Sequence, residues 1–119
     1  MSDKPVMERL QVKNGRTLAV IGASEGVDAG LMPTANVGAA DVVLAFFAGR
    51  ASLEAALPGF AGSLKPGVIL WIAYPKLTSP LAGDLNRNLI HGLTPAHGWD
   101  TVGQIAVDAD WSAMRMKRI

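Results

Sequence analysis

The sequence predicts an α/β fold: a single compact Rossmann-like three-layer domain over residues 1–119, with a mainly parallel five-stranded sheet and an antiparallel C-terminal hairpin. Three observations predict it. Leu18 to Ile21, Val42 to Phe47 and Val68 to Ala73 are short, almost purely apolar runs, the pattern of parallel strands buried on both faces. The stretches after the second and third runs carry leucines at helical spacing, as crossover helices do. The connection Asp108-Ala109-Asp110 is too short for a parallel crossover, so the strands flanking it must form a hairpin.

Each element has its own local reason. The first strand follows the turn at Asn14-Gly15 and stops at Gly22. Residues 25–40 carry the weakest pattern, a short helix around Val27 to Leu31 followed by loop. The second strand follows Asp41 and stops at Gly49. A helix from Ser52 presents Leu53, Leu57, Phe60 and Leu64 on one stripe, and Pro58 is expected to end or break it. The turn Lys65-Pro66-Gly67 delivers the third strand, which empties at Tyr74-Pro75-Lys76 into a polar loop. A helix opened by Asp84 buries Leu85, Leu89 and Leu93, is interrupted at Thr94-Pro95, and is closed by Gly98. Val102 to Val107 then pairs with Trp111 to Lys117. In that last strand Ser112, Met114 and Met116 face one way, while Trp111, Ala113, Arg115 and Lys117 face the other.

Composition narrows the function classes. The 119 residues are 50% hydrophobic, enough for a real core, and the net charge is +1. The pI near 8.1 and a single short basic cluster, Arg115, Lys117 and Arg118, argue against a nucleic-acid binder. With no cysteine, disulfides and thiolate metal sites are excluded, and a cytoplasmic location is expected. The first residues lack a secretory apolar core, and no apolar run reaches the length of a membrane helix.

The candidate site lies where the parallel strands end, since open α/β sheets bind ligands beyond the carboxyl ends of their strands. Lys76, Thr78 and Ser79 follow the third strand, Arg87 lies just beyond, and Ser112 comes to the same edge through the hairpin. A lysine point charge beside hydroxyl donors suits a small anionic ligand. Ser24 belongs to the turn Gly22-Ala23-Ser24-Glu25-Gly26, whose backbone N–H groups suit the same kind of ligand. That turn also matches the G-x-S-x-G nucleophile elbow. His91 sits in a helix and His97 at the opposite sheet edge, so the triad roles go unfilled and no catalytic residue is assigned. The two histidines are also too few for a histidine metal site. Asp108 and Asp110 are turn residues, Trp111 caps the core, Arg115 forms a structural ion pair, and Met114 and Met116 fill the core.

Two resemblances rest on particular residues. The turn Tyr74 to Ser79 (YPK-x-TS), the DLNR stretch from Asp84 to Arg87 and the terminal DWSAMR from Asp110 to Arg115 resemble the signature of a family of small bacterial proteins known as a domain of unknown function. The order of elements, Asp41 before an apolar strand, the LKPG turn from Leu64 to Gly67 and the final hairpin are similar to class I methyltransferases. That second resemblance implies a truncated methyltransferase-like Rossmann fold. Only one crossover fits between Ala23 and Asp41, so the second and third strands of that fold are missing, with the acid that binds the cofactor ribose. No cofactor is therefore expected, and S-adenosylmethionine is not expected to bind.

The expected function is a non-catalytic binding or regulatory module with an anion-sized site at the C-terminal sheet edge; the alternative is a small methyltransferase-like transferase. If the strand order follows the methyltransferase pattern, Leu18 to Ile21 becomes an unprotected apolar edge. It needs a cover, supplied by the N-terminal residues Val6, Met7, Leu10 and Val12 or by a second copy in a homodimer.

Overall fold

The computed structural model describes residues 6–12, 15–22 and 35–119. Its elements run α1 (Val6–Arg9), β1 (Leu18–Ile21), β2 (Val42–Phe46), α2 (Arg50–Ser63), β3 (Ile69–Pro75), α3 (Arg87–Leu93), a 3-10 turn (Pro95–His97), β4 (Trp99–Ala106) and β5 (Trp111–Arg118). The strands form one five-stranded sheet in the order β1-β2-β3-β5-β4. The three apolar runs are parallel neighbours, with Leu18 opposite Val42 and Val42 opposite Ile69. β5 runs antiparallel to both β3 and β4.

This topology corrects one expectation. The sheet is mixed rather than mainly parallel, with two parallel and two antiparallel pairs. The cause is where the hairpin docks: β5 inserts between β3 and β4, so each of its ladders is antiparallel. β4 still points the same way as β1, β2 and β3. The Asp108 to Asp110 turn consequently reaches the edge where those strands end.

Each face of the sheet has its own core. Leu70, Ile72, Tyr74, Met114 and Met116 pack with Leu53, Leu57 and Phe60 of α2 and Ile90 of α3. On the other face, Val6 and Leu10 join Leu18, Leu44, Trp71 and Trp111. The Trp71 indole N–H donates to the Leu10 carbonyl at 3.0 Å, satisfying a buried donor and anchoring the N-terminal segment. Trp111 meets Phe46 edge to face at 5.1 Å, a core contact as its position in the strand predicts. β1 lies at one sheet edge, and the Ala35 N–H donates to the Leu18 carbonyl at 3.1 Å.

Several local expectations are revised. α2 continues through Pro58. The proline leaves the Glu54 carbonyl without its helical donor, but both residues face solvent, where water can donate instead, while Leu53, Leu57, Phe60 and Leu64 are buried below. Asp84 does not open α3. Asn86 is its N-cap, with its Oδ1 accepting from the Leu89 N–H at 2.9 Å. The buried residue of α3 is Ile90, whereas Leu85 is buried in the loop before it. Asp84 instead serves α2: its Oδ1 accepts from the Arg50 N–H at 2.7 Å, beside Gly49, where a Cβ would lie only 3.2 Å from that oxygen. β4 begins at Trp99, three residues before its apolar run.

Asp41 stands at the start of β2, away from the candidate site. Its carboxylate accepts from the backbone N–H and the hydroxyl of Thr17 and pairs with Lys65. It therefore ties together the starts of β1 and β2 and the turn leading to β3. The Lys65 hydrogen bond, followed by the Thr17 N–H, pulls its pKa from 3.8 to about 2. At the far end of β1, Gly22 has φ +68°, and a Cβ there would lie 2.9 Å from the Phe46 carbonyl oxygen. Only glycine fits that close approach, which is why the strand stops there.

Candidate functional site

Beyond the ends of β3 and β4 lies a cleft of about 530 Å³. Its walls come from four segments: Tyr74 at the end of β3, Lys76 and Thr78 in the loop after it, Arg87 at the start of α3, and Gln104 and Ser112 from the hairpin. Leu77, Asn86 and Asn88 complete the rim. The fold thus brings residues of the three motifs YPK-x-TS, DLNR and DWSAMR to one place, although the motifs are spread over 42 positions of sequence, from Tyr74 to Arg115.

The floor of the cleft is organised around the Tyr74 hydroxyl. Gln104 reaches over β5 and donates its side-chain amide to that oxygen at 2.9 Å. The Ser112 hydroxyl is a second hydrogen-bond partner, as expected from the register that sets Tyr74 opposite Ser112. Burial raises the Tyr74 pKa, while the positive charge of Arg87 and the Ser112 hydrogen bond act in the opposite direction. The phenol stays protonated at neutral pH.

The loop and the hairpin turn are clasped together. The Lys76 N–H donates to the Asp110 carbonyl at 2.8 Å, and the Ser79 hydroxyl donates to the Asp110 carboxylate at 2.8 Å. The Ser79 oxygen also accepts from the Leu81 N–H at 3.0 Å. Ser79 is thus buried and engaged in holding the loop, whereas Lys76, Thr78 and Ser112 open onto the cleft. Asp108 accepts from the N–H groups of Asp110 and Trp111, both at 2.8 Å, which is Asx-turn chemistry, as expected. Ser24 lies outside the described residues, as do most of the Gly22 to Gly26 turn and the helix expected around Val27 to Leu31.

Arg115 differs from its expected role. Arg115 forms no ion pair among the described residues, because its place on β5 points it at the opposite end of the sheet from the acids of the hairpin turn. Arg87 does not pair with Asp84, whose carboxylate is engaged at Arg50. Among the described residues neither Lys76 nor Arg87 forms an ion pair, and no carboxylate lines the cleft. The described residues hold no group of three or more potential metal ligands, and no helix among them is long and apolar enough to cross a membrane.

Sequence reasoning missed Gln104, Asn86 and Asn88 as parts of the site. One signal was available: Gln104 is a polar interruption in a strand whose neighbours Ile105 and Val107 are apolar. Such a residue on a sheet face asks for a polar partner.

No protein-family model matches the chain, and no curated protein matches it. Among solved structures it is similar in fold to the mitomycin 7-O-methyltransferase MmcR, with a TM-score of 0.56 at 12% identity. The likeness covers 71% of this chain and 31% of that one, so the chain spans about a third of the length of the enzyme it resembles. The chain therefore has a methyltransferase-like α/β fold, and the likeness at this identity speaks to fold alone.

Proposed function

We propose that the chain is a non-catalytic binding or regulatory domain that holds a small anion in the cleft, with Lys76 and Arg87 as its charges and Thr78 and Ser112 as hydroxyl partners. The observation that carries this reading is the pair of cations opening into one cleft with no carboxylate among the described residues of its walls. Unopposed positive charges beside fixed polar groups attract anions. Among the described residues that line the cleft there is no histidine or carboxylate to serve as base beside the Thr78 or Ser112 hydroxyl.

The experiment is a thermal-shift series with phosphate, sulfate and acetate on the parent and on Lys76→Ala. An anion present at 100 times its dissociation constant raises stability by about 2.7 kcal/mol. Stabilisation that vanishes in Lys76→Ala supports the site, and a parent insensitive to every anion removes it. The alternative, a small methyltransferase-like transferase, is favoured only by the fold likeness. Calorimetry with S-adenosylmethionine separates the two, because a micromolar dissociation constant would favour the transferase. A homodimer through the β1 edge belongs to the same proposal and is read by sedimentation velocity.

A further inference from the structure

Building on the anion-site reading, we infer that the ligand is an organic phosphate monoester, its phosphate held between Lys76 and Arg87 and its organic part lying against Gln104. The first argument is charge. Among the described residues, the cleft walls contain two cations and no acid. A carboxylate or a sulfate ester brings one negative charge and leaves one cation uncompensated once the ligand covers it. A phosphate monoester brings close to two.

The second argument is shape and donor type. Arginine presents a planar fork that meets two phosphate oxygens at once, and lysine adds a point charge. The neutral groups beside them are suited to the remaining oxygen. Thr78 carries a hydroxyl, and the Asn86 side-chain Oδ1 is occupied by the Leu89 N–H, which leaves its NH₂ as a donor.

The third argument is size. A cleft of about 530 Å³ falls within the roughly 300–1,000 Å³ of small-molecule sites, far more than a bare phosphate fills. Arg87 and Gln104 also line an adjoining hollow of about 280 Å³ with Thr101, Gly103 and Met114. The phosphate position thus opens, past Gln104, onto further space for an organic group. Leu77, 69% exposed on the cleft rim, offers apolar surface for the same group to cover.

The test is calorimetric titration of the whole chain at pH 8 with four probes: phenyl phosphate, phenyl sulfate, benzoate and inorganic phosphate. Phenyl phosphate and phenyl sulfate share shape but differ by one charge at this pH. Phenyl phosphate is expected to bind at least about tenfold more tightly than the other three, and Lys76→Ala and Arg87→Ala are each expected to weaken it about tenfold or more. Should Lys76→Ala fail to fold, Lys76→Met keeps the side-chain stem and serves instead. If phenyl sulfate or benzoate matches phenyl phosphate while still depending on Lys76, the anion site stands and the phosphate monoester is wrong. Inorganic phosphate binding as tightly as phenyl phosphate removes the role of the organic part and overturns the inference. If none of the four binds, both readings fall.

Discussion

Gln104 and Tyr74 are joined by a 2.9 Å hydrogen bond although their strands, β4 and β3, are not neighbours. The bond crosses the intervening β5 and places a glutamine amide over the one phenol of the protein. It brings a residue of an edge strand into the floor of a cleft that opens near the middle of the sheet.

Because the chain has one tyrosine, alkaline absorbance titration reads Tyr74 alone. The midpoint is expected above 10, since burial raises it from that value. The sign follows directly. A native state that keeps its phenol proton longer than the unfolded chain loses stability as pH rises above 10. Arg87→Ala should move the midpoint higher still, because its charge favours the phenolate. A midpoint at or below 10 would contradict the buried hydroxyl.

Asp41 makes the opposite prediction at the acid end. Its carboxyl is depressed to about 2 from 3.8, so the stability it contributes is present above the unfolded value and lost as pH falls through the folded one. Urea unfolding should find Asp41→Asn weaker than the parent at pH 7, with the gap closing toward pH 2. A gap that stays constant across this range would show that the Lys65 and Thr17 contacts do not depend on the charge.

The cap on α2 comes from a distant loop. Asp84→Ala should cost about 0.5–2 kcal/mol, the range for losing an N-terminal side-chain acceptor, and Asp84→Asn should restore much of it. Denaturant unfolding of the three proteins measures this. Equal loss in both variants would mean that the charge rather than the acceptor matters.

Adjacent hydroxyls in the YPK-x-TS loop should separate in their effects. Ser79→Ala removes a buried donor to Asp110 and is expected to lower stability by about 1–3 kcal/mol, since a carboxylate loses its partner. Thr78→Ala, on the exposed cleft rim, should stay within about 0.5 kcal/mol of the parent. Melting both variants beside the parent decides it, and a destabilised Thr78→Ala would place that residue in the scaffold as well.

Much of the sheet was legible because its information is local. The apolar runs at Leu18, Val42 and Val68 and the tiny Asp108 to Asp110 connection are enough to set strand direction. The mixed character was not legible, because which strand of the hairpin docks on β3 depends on packing between distant segments. The same reason hid the partner of Asp84. A carboxylate before a helical pattern reads as that helix's cap, yet tertiary approach of the loop to Gly49 gave it to α2. Lys76, Thr78 and Ser112 could be placed at the cleft from strand ends alone. Gln104 was missed even though the register running back from the hairpin turn, on the near side of the bulge between Thr101 and Gly103, sets it opposite Met114, one side chain along from Ser112.

The double attachment of the 76–79 loop to Asp110 has a kinetic consequence. With Lys76 and Ser79 both fastened to the hairpin turn, the two walls of the cleft cannot swing apart without breaking a backbone and a side-chain bond together. On the proposed reading, an anion arriving there would meet these two walls already set, and encounter would not be followed by a slow closing step. Its arrival would then be governed by diffusion and by the field of two positive charges, which added salt weakens. Differences among anions would appear mainly in how long each stays.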